Sequence, residues 1–181
     1  MRIWILRHGE TDWNVLWKMQ GQTDIPLNEK GIAQAKEAAE RLKGEKFDAI
    51  YSSPLSRAYE TARIIAEPHG LQIVTDDRLK EMSFGEFEGT TPEYNEINPN
   101  RERFFSAPEK YVPSGGETID EAEARCRDFL NDLKKQDYER VLIVTHGALA
   151  RAMIGAVKHV PHEHFWDTGV MSNCGTLELE I

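Results

Sequence analysis

Cysteine, long apolar runs and positive charge are the three things this sequence has little of. Its 181 residues include 2 cysteines, Cys126 and Cys174. They form no CxxC pair and no disulfide framework, so the chain reads as a cytoplasmic protein with two free thiols. Aliphatic or aromatic runs stop at about four residues, as in Ile3 to Leu6 and Val141 to Val144, against ~20 for a bilayer span and ~7 for the core of a secretory leader. No membrane partner is expected. Basic side chains number 22 against 31 acidic ones, a net charge of −9. Without a basic run, nucleic acid and anionic membrane surfaces are poor partners. A small anion is not excluded, because a Debye length of ~8 Å leaves local charge in command.

What is present is ordinary for a globular chain: 40% hydrophobic, 9% aromatic and 29% charged residues, too apolar for disorder. The length fits one domain over residues 1–181, with a core large enough to fold without disulfide or metal.

Strand-like and helix-like segments alternate, which predicts an α/β fold: a three-layer α/β/α sandwich around a mostly parallel sheet. Ile3 to Leu6 is an apolar strand that runs into Arg7-His8-Gly9. Asn28 caps a helix whose Ile32, Ala35, Ala39 and Leu42 share one stripe, with Gly44 placed to end it. Phe47 to Tyr51 is a second strand. Ser53 before Pro54 reads as a cap and a first-turn proline, opening a helix that buries Leu55, Ala58, Tyr59, Ala62 and Ile65. Leu71 to Thr75 is a third strand. From about 82 to 117 periodicity is lost among prolines and aromatics, as in an inserted lid. Thr118 to Glu121 is a capping box before a helix whose Ile119, Ala122, Cys126, Phe129 and Leu133 face the core, which makes Cys126 a core residue. Val141 to Thr145 is a strand leading into His146-Gly147 and a further helix. Thr176 to Ile181 alternates with Leu177, Leu179 and Ile181 on one face, as an antiparallel edge strand would, and its free edge suits pairing in a homodimer.

Two strands thus end in His-Gly, at His8 and His146, and ligands in open α/β sheets collect beyond the carboxyl ends of strands. Arg7 sits beside His8. Arg57 lies in the first turn of its helix, away from the apolar stripe and toward the same sheet edge. Two guanidiniums, two imidazoles and the free N–H groups of a helix start suit a doubly charged phosphate. Taken singly, each has a plainer reading as a hydrogen-bonded strand-end histidine or a solvated arginine. The residues alone support an anion-binding α/β protein.

The string Leu6-Arg7-His8-Gly9-Glu10-Thr11-Asp12-Trp13-Asn14 resembles the signature of the histidine phosphatase (phosphoglycerate mutase-like) superfamily. The resemblance continues through Gly21, Pro26-Leu27 and Gly31, Ser52 to Arg57, Leu79-Lys80-Glu81, Gly85, Glu88-Gly89, Gly115 to Thr118, and Thr145-His146-Gly147. These follow the family's order over nearly the whole chain, with the 82–117 lid least matched. It implies a metal-independent phosphomonoesterase that forms phosphohistidine on His8 and needs no cofactor. On the same footing, Arg7, Arg57 and a protonated His146 hold the phosphoryl oxygens, with Asn14 and the Gly147 N–H as further donors. Gly21 and Thr23 lie in the segment that approaches the phosphate. Glu81 matches the acid/base carboxylate, with Glu86 or Glu88 as the alternative bearers of that role.

Three functional readings remain open at this point. A phosphatase acting on a small phosphate ester of the short bacterial type, like α-ribazole phosphatases, leads. A cofactor-dependent phosphoglycerate mutase fits less well, because the chain is short and the lid's three basic residues (Arg101, Arg103, Lys110) face four acidic ones (Glu93, Glu96, Glu102, Glu109). A catalytically silent binding module is the third. His159, His162 and His164 hint at a metal cluster, but their place around Pro161 reads as ordinary surface.

Overall fold

The computed structural model describes residues 1–169 and 172–181. Five strands, β1 (Arg2–Arg7), β2 (Ala49–Ser52), β3 (Ile73–Thr75), β4 (Arg140–Thr145) and β5 (Thr176–Glu180), form one sheet in the order β3-β2-β4-β1-β5. The β2–β3, β2–β4 and β1–β4 pairs are parallel, and β5 closes one edge antiparallel to β1. The expected mostly parallel sheet and its antiparallel edge strand are both found.

The alternation of side chains along β1 explains the layering. Ile3 and Ile5 point into one apolar cluster, with Val141 and Ile143 of β4. Trp4 and Leu6 point into the other, with Leu142 and Val144. A central parallel strand is apolar on both faces because helices cover both. Helices α2 (Glu29–Leu42) and α3 (Ser56–Ala66) cover the second face, while α5 (Ile119–Leu133) and α6 (Gly147–Lys158) cover the first. A four-residue helix, α1 (Asp12–Val15), follows β1, and α4 (Asn100–Ser106) lies within the aperiodic stretch. Asn28 caps α2 and Thr118 with Glu121 forms the capping box of α5, as read from the sequence.

Helix α3 departs from expectation at its start. It begins at Ser56 with Leu55 as N-cap, not at Ser53-Pro54. The Ser53 hydroxyl does accept the Leu55 N–H at 3.2 Å, but it also meets His146 at 2.8 Å, which holds it in the site instead of at the helix end. Tyr59, at the margin of the apolar stripe, is exposed.

The 82–117 stretch consists of short 3₁₀ turns around α4, organised by a ring cluster in place of periodic helices. Phe104 is 1% exposed, and its ring meets Phe84, Tyr111, Phe165 and Trp166 at centroid distances of 5.0, 4.9, 5.8 and 5.3 Å. The Trp166 indole donates to the Phe104 carbonyl at 2.6 Å. Aromatic pairs of this kind, edge-to-face with Phe84 and Trp166 and tilted with Tyr111 and Phe165, each add about 0.5–1.5 kcal/mol beyond burial, so aromatics replace the missing helical stripe.

Beyond β1 the backbone turns against the start of α2 with no room for side chains. A Cβ on Gly9 would lie 2.5 Å from the Gly31 carbonyl oxygen, and one on Gly31 would lie 2.1 Å from that of Glu10. These two glycines let the loop after the strand pack backbone to backbone.

Candidate active site

In the β1–β4 ladder Arg7 stands opposite Thr145. The next residue on each strand is a histidine, so the sheet sets His8 beside His146. The His8 N–H extends the ladder by donating to the Thr145 carbonyl at 3.0 Å. His8 Nδ1 lies 2.6 Å from the Gly9 carbonyl. A carbonyl only accepts, so Nδ1 carries the proton and Nε2 keeps its lone pair. Burial, with Arg57 and Arg7 nearby, holds His8 well below the usual 6.5, so the ring is neutral at neutral pH and nucleophilic at Nε2.

His146 is fully buried, with Nε2 on the Ser53 hydroxyl. Its Nδ1 has no hydrogen-bond partner among the described residues. Burial, Arg57 and His8 push it well below 6.5 as well. The ring has no solvent and its charged neighbours are mainly cations, so the protonated His146 that the resemblance implies needs an anion beside it.

Arg57 was expected to point away from the apolar stripe, and it does, yet it is 0% exposed. The 20–23 turn folds over it. Its Nη1 donates to the Thr23 carbonyl at 2.9 Å and its Nη2 to that of Gly21 at 2.7 Å, leaving Nε without a hydrogen-bond partner among the described residues. Burial brings its pKa down to about 10 against the pull of Glu81, so it stays a cation at neutral pH. Thr61 braces this region: its hydroxyl donates to the Arg57 carbonyl at 2.7 Å and accepts the Gly9 N–H at 3.1 Å. Burial lowers Arg7 too. Arg7 passes close to Gly147, where a Cβ would come within 3.4 Å of its Nε.

Glu81 sits at the start of α6 and is 8% exposed. Its Oε1 accepts the N–H groups of Met82 and Leu149 at 2.9 and 2.8 Å, and its Oε2 that of Ala148 at 3.2 Å. Two of these are helix-start amides that have no intrahelical acceptor. Gly147 is the first residue of that helix.

A cavity of about 660 Å³ opens here, and Arg7, His8, Asn14, Arg57, Glu81 and Gly147 line it. Gly21 is also on its wall, whereas Thr23 and His146 are not. The Thr23 hydroxyl and N–H are both given to Glu88 Oε2. Neither Glu86 nor Glu88 reaches the cavity wall, where the carboxylates are Glu10, Glu81 and Glu102.

A sequence model of the histidine phosphatase superfamily (branch 1) matches residues 3–181. The chain belongs to that superfamily. This histidine phosphatase is 34% identical over 172 residues to phosphoserine phosphatase 1 of Hydrogenobacter thermophilus, covering 93% of this chain and 82% of the relative. It is 41% identical over 155 residues to phosphoglycerate mutase-like protein 4 of Arabidopsis thaliana, covering 82% and 67%. Its structure superposes with a TM-score of 0.92 on mycobacterial glucosyl-3-phosphoglycerate phosphatase in complex with VO3, at 34% identity, covering 99% of this chain and 92% of that one. Family and phosphatase relatives together make it a phosphoric monoester hydrolase.

Two supporting residues of this histidine phosphatase were not singled out for their roles by the sequence. Glu88 accepts the N–H groups of Gln22, Thr23 and Phe84 at 3.1, 3.0 and 3.1 Å, and so holds the turn whose carbonyls grip Arg57. Asn173 donates to the His8 carbonyl at 3.0 Å. Both act across long sequence separations, and no local pattern marks them. Asn14 spends its carbonyl oxygen on the Thr11 N–H at 3.0 Å, which leaves its amide nitrogen as a donor.

The histidines near Pro161 do not gather into one cluster. His164 pairs with Asp167 at 2.9 Å, while His162 faces Asp120 and Glu123 at 3.7 and 3.4 Å. That three-residue group brings its ligand atoms within 4.8 Å of one another, and none of the three lines the active-site cavity. Among the described residues no helix is long and apolar enough to cross a membrane.

Proposed function

We propose that this histidine phosphatase cleaves small phosphate monoesters by carrying the phosphoryl group on His8 Nε2. The observation that carries the reading is the fixed tautomer of His8, with Nδ1 on the Gly9 carbonyl at 2.6 Å, in a cavity it shares with Arg7 and Arg57. Nε2 attacks phosphorus, the P–O bond to the alcohol breaks, and Glu81 gives its proton to the departing oxygen. Glu81 then takes a proton from a water whose oxygen attacks phosphohistidine, releasing inorganic phosphate and restoring neutral His8.

Arg7, Arg57, the Asn14 amide and the Gly147 N–H stabilise the equatorial oxygens, where charge accumulates as the group moves. That charge neutralisation does the work a divalent ion does elsewhere, so the reaction is metal-independent. His146 lies behind His8 with a spare Nδ1, and a bound phosphate dianion supplies the counter-charge for protonating it. Gly21 and Thr23 serve through the carbonyls that aim Arg57. The 82–117 segment contributes Phe84, Pro92, Asn95, Phe104 and Phe105 to the cavity wall and covers the site as a lid on the 1–181 domain. Cys126 and Cys174, both buried and unpaired, suit a reducing cytoplasm.

Rapid-quench mass spectrometry during turnover of p-nitrophenyl phosphate tests the route. One phosphoryl adduct is expected on His8 in the wild type and none in His8→Ala, whose rate should fall at least ~10³-fold. An unchanged rate in that variant overturns the proposal. The mutase-like relative motivates a second assay. Exchange between 2- and 3-phosphoglycerate that outpaces phosphate release would make transfer to a second alcohol the main reaction.

A further inference from the structure

Away from the cavity, a carboxylate is buried where the hydrolytic steps have no use for one. Glu123, in α5, is 8% exposed. Its Oε2 accepts from Arg127 Nη1 at 3.2 Å. Its Oε1 accepts no hydrogen bond among the described residues and stands 3.4 Å from His162 Nε2. A glycine inside α6 makes the room for that oxygen, since a Cβ on Gly155 would lie 2.5 Å from it. A buried carboxylate oxygen with no donor is unfavourable unless a cation meets it.

His162 opens the 162–167 turn, and Asp120 lies one turn before Glu123 on α5. Asp120 Oδ1 is 3.7 Å from the same imidazole nitrogen, and the three ligand atoms lie within 4.8 Å of one another. Direct N–H···O bonds run about 2.7–3.2 Å, so both separations from Nε2 are too long for one. Ligand atoms held 2.0–2.2 Å from a tetrahedral ion stand about 3.3–3.6 Å apart. The spacing suits atoms grouped around an ion, and the exposed Asp120 carboxylate is free to turn toward it.

We propose that Asp120, Glu123 and His162 form a site for a divalent transition-metal ion of the zinc type, with water completing its shell. An imidazole nitrogen beside two carboxylates favours such an ion over Mg²⁺ or Ca²⁺, which take oxygen ligands. Arg127 orients the Glu123 carboxylate from outside the shell. None of the three ligands lines the active-site cavity, so the ion takes no part in phosphoryl transfer. It ties the turn that carries Phe165 and Trp166 to the start of α5. The proposal goes beyond the phosphatase reading and does not depend on it.

Calorimetric titration of EDTA-stripped protein with Zn²⁺ alone tests the site, in wild type, Asp120→Asn, His162→Ala, His164→Ala and His8→Ala, with Mg²⁺ as the comparison. Wild type should bind about one equivalent of Zn²⁺, and His164→Ala and His8→Ala should bind it equally well. Asp120→Asn, a change at an exposed position, should weaken binding at least ~10-fold, and His162→Ala should abolish it. Zn²⁺ should also raise the denaturant midpoint of wild type, with the folded-to-unfolded ratio growing up to ~100-fold at a hundred times the Kd, and leave that of His162→Ala unmoved. Absence of binding, or binding that survives both Asp120→Asn and His162→Ala, would mean that the three groups form only a loose ion pair and would overturn the proposal. Loss of binding in His8→Ala would move the ion to the active site, and equal binding of Mg²⁺ would reduce the group to an acidic surface. Either result overturns it as well.

Discussion

His8 and His146 stand with ring centroids 5.2 Å apart and planes tilted by 58°, both buried and both beside Arg57. Two imidazoles this close to one cation cannot both charge cheaply. Each is held well below 6.5, by burial first and by Arg57 next.

A pH dependence of stability follows. Above 6.5 both rings are neutral in the folded and unfolded chains, and they contribute nothing to the slope. Below it the unfolded chain binds protons that the folded one refuses, so stability falls as pH drops from 6.5 toward the depressed folded values. The slope approaches about 1.4 kcal/mol per pH unit for each ring. Denaturant midpoints between pH 8 and 5 should decline below about 6.5, and less steeply in His146→Asn. An identical decline in that variant would remove His146 from the account.

Removing the Glu88 carboxylate should loosen Arg57 without touching it. Glu88→Ala frees the 20–23 turn, and misplacement by about 1 Å costs on the order of 10²-fold in rate. The kcat on p-nitrophenyl phosphate should fall by about that factor, and inhibition by vanadate should weaken in parallel. Glu88→Gln should recover only part, since its amide NH2 opposes one of the three backbone N–H donors. Full activity in Glu88→Ala would refute the bracing role.

The ring cluster predicts where stability is concentrated in the aperiodic segment. Phe104→Ala should destabilise the fold by about 3–5 kcal/mol, read as a lower denaturant midpoint. A change under about 1 kcal/mol would mean that the segment is not packed as part of the core.

Chelation should leave turnover unchanged, because Arg7 and Arg57 carry the charge stabilisation. The check is activity after EDTA treatment. Loss that a divalent ion restores would contradict the metal-independent route.

Much of this site was legible from strand ends. Ile3 to Leu6 and Val141 to Thr145 are apolar enough to be central strands, and their His-Gly exits mark one sheet edge. The arginine on the polar side of α3 was legible too, but its complete burial was not. Arg57 is enclosed by Gly21 and Thr23, 36 and 34 positions away, and helical periodicity carries no information about a loop that folds back. Ser53 misled for the same reason: as a local string Ser-Pro is a helix start, while in three dimensions its hydroxyl answers His146. The charge state of His146 depends on the sum of its neighbours' fields, which residue type alone does not disclose. Glu88 shows the general limit, since a glutamate in a turn has no signature for the backbone amides it gathers.

The register of β1 against β4 has a consequence for how such an enzyme diversifies. Because the two imidazoles are the first residues past paired strands, their separation is inherited from backbone hydrogen bonding at the centre of the sheet. A slip of one residue would send one ring to the opposite face. The loops around the rim carry no such duty, so aromatic and basic residues there are free to drift toward new alcohols while the reactive pair keeps its spacing.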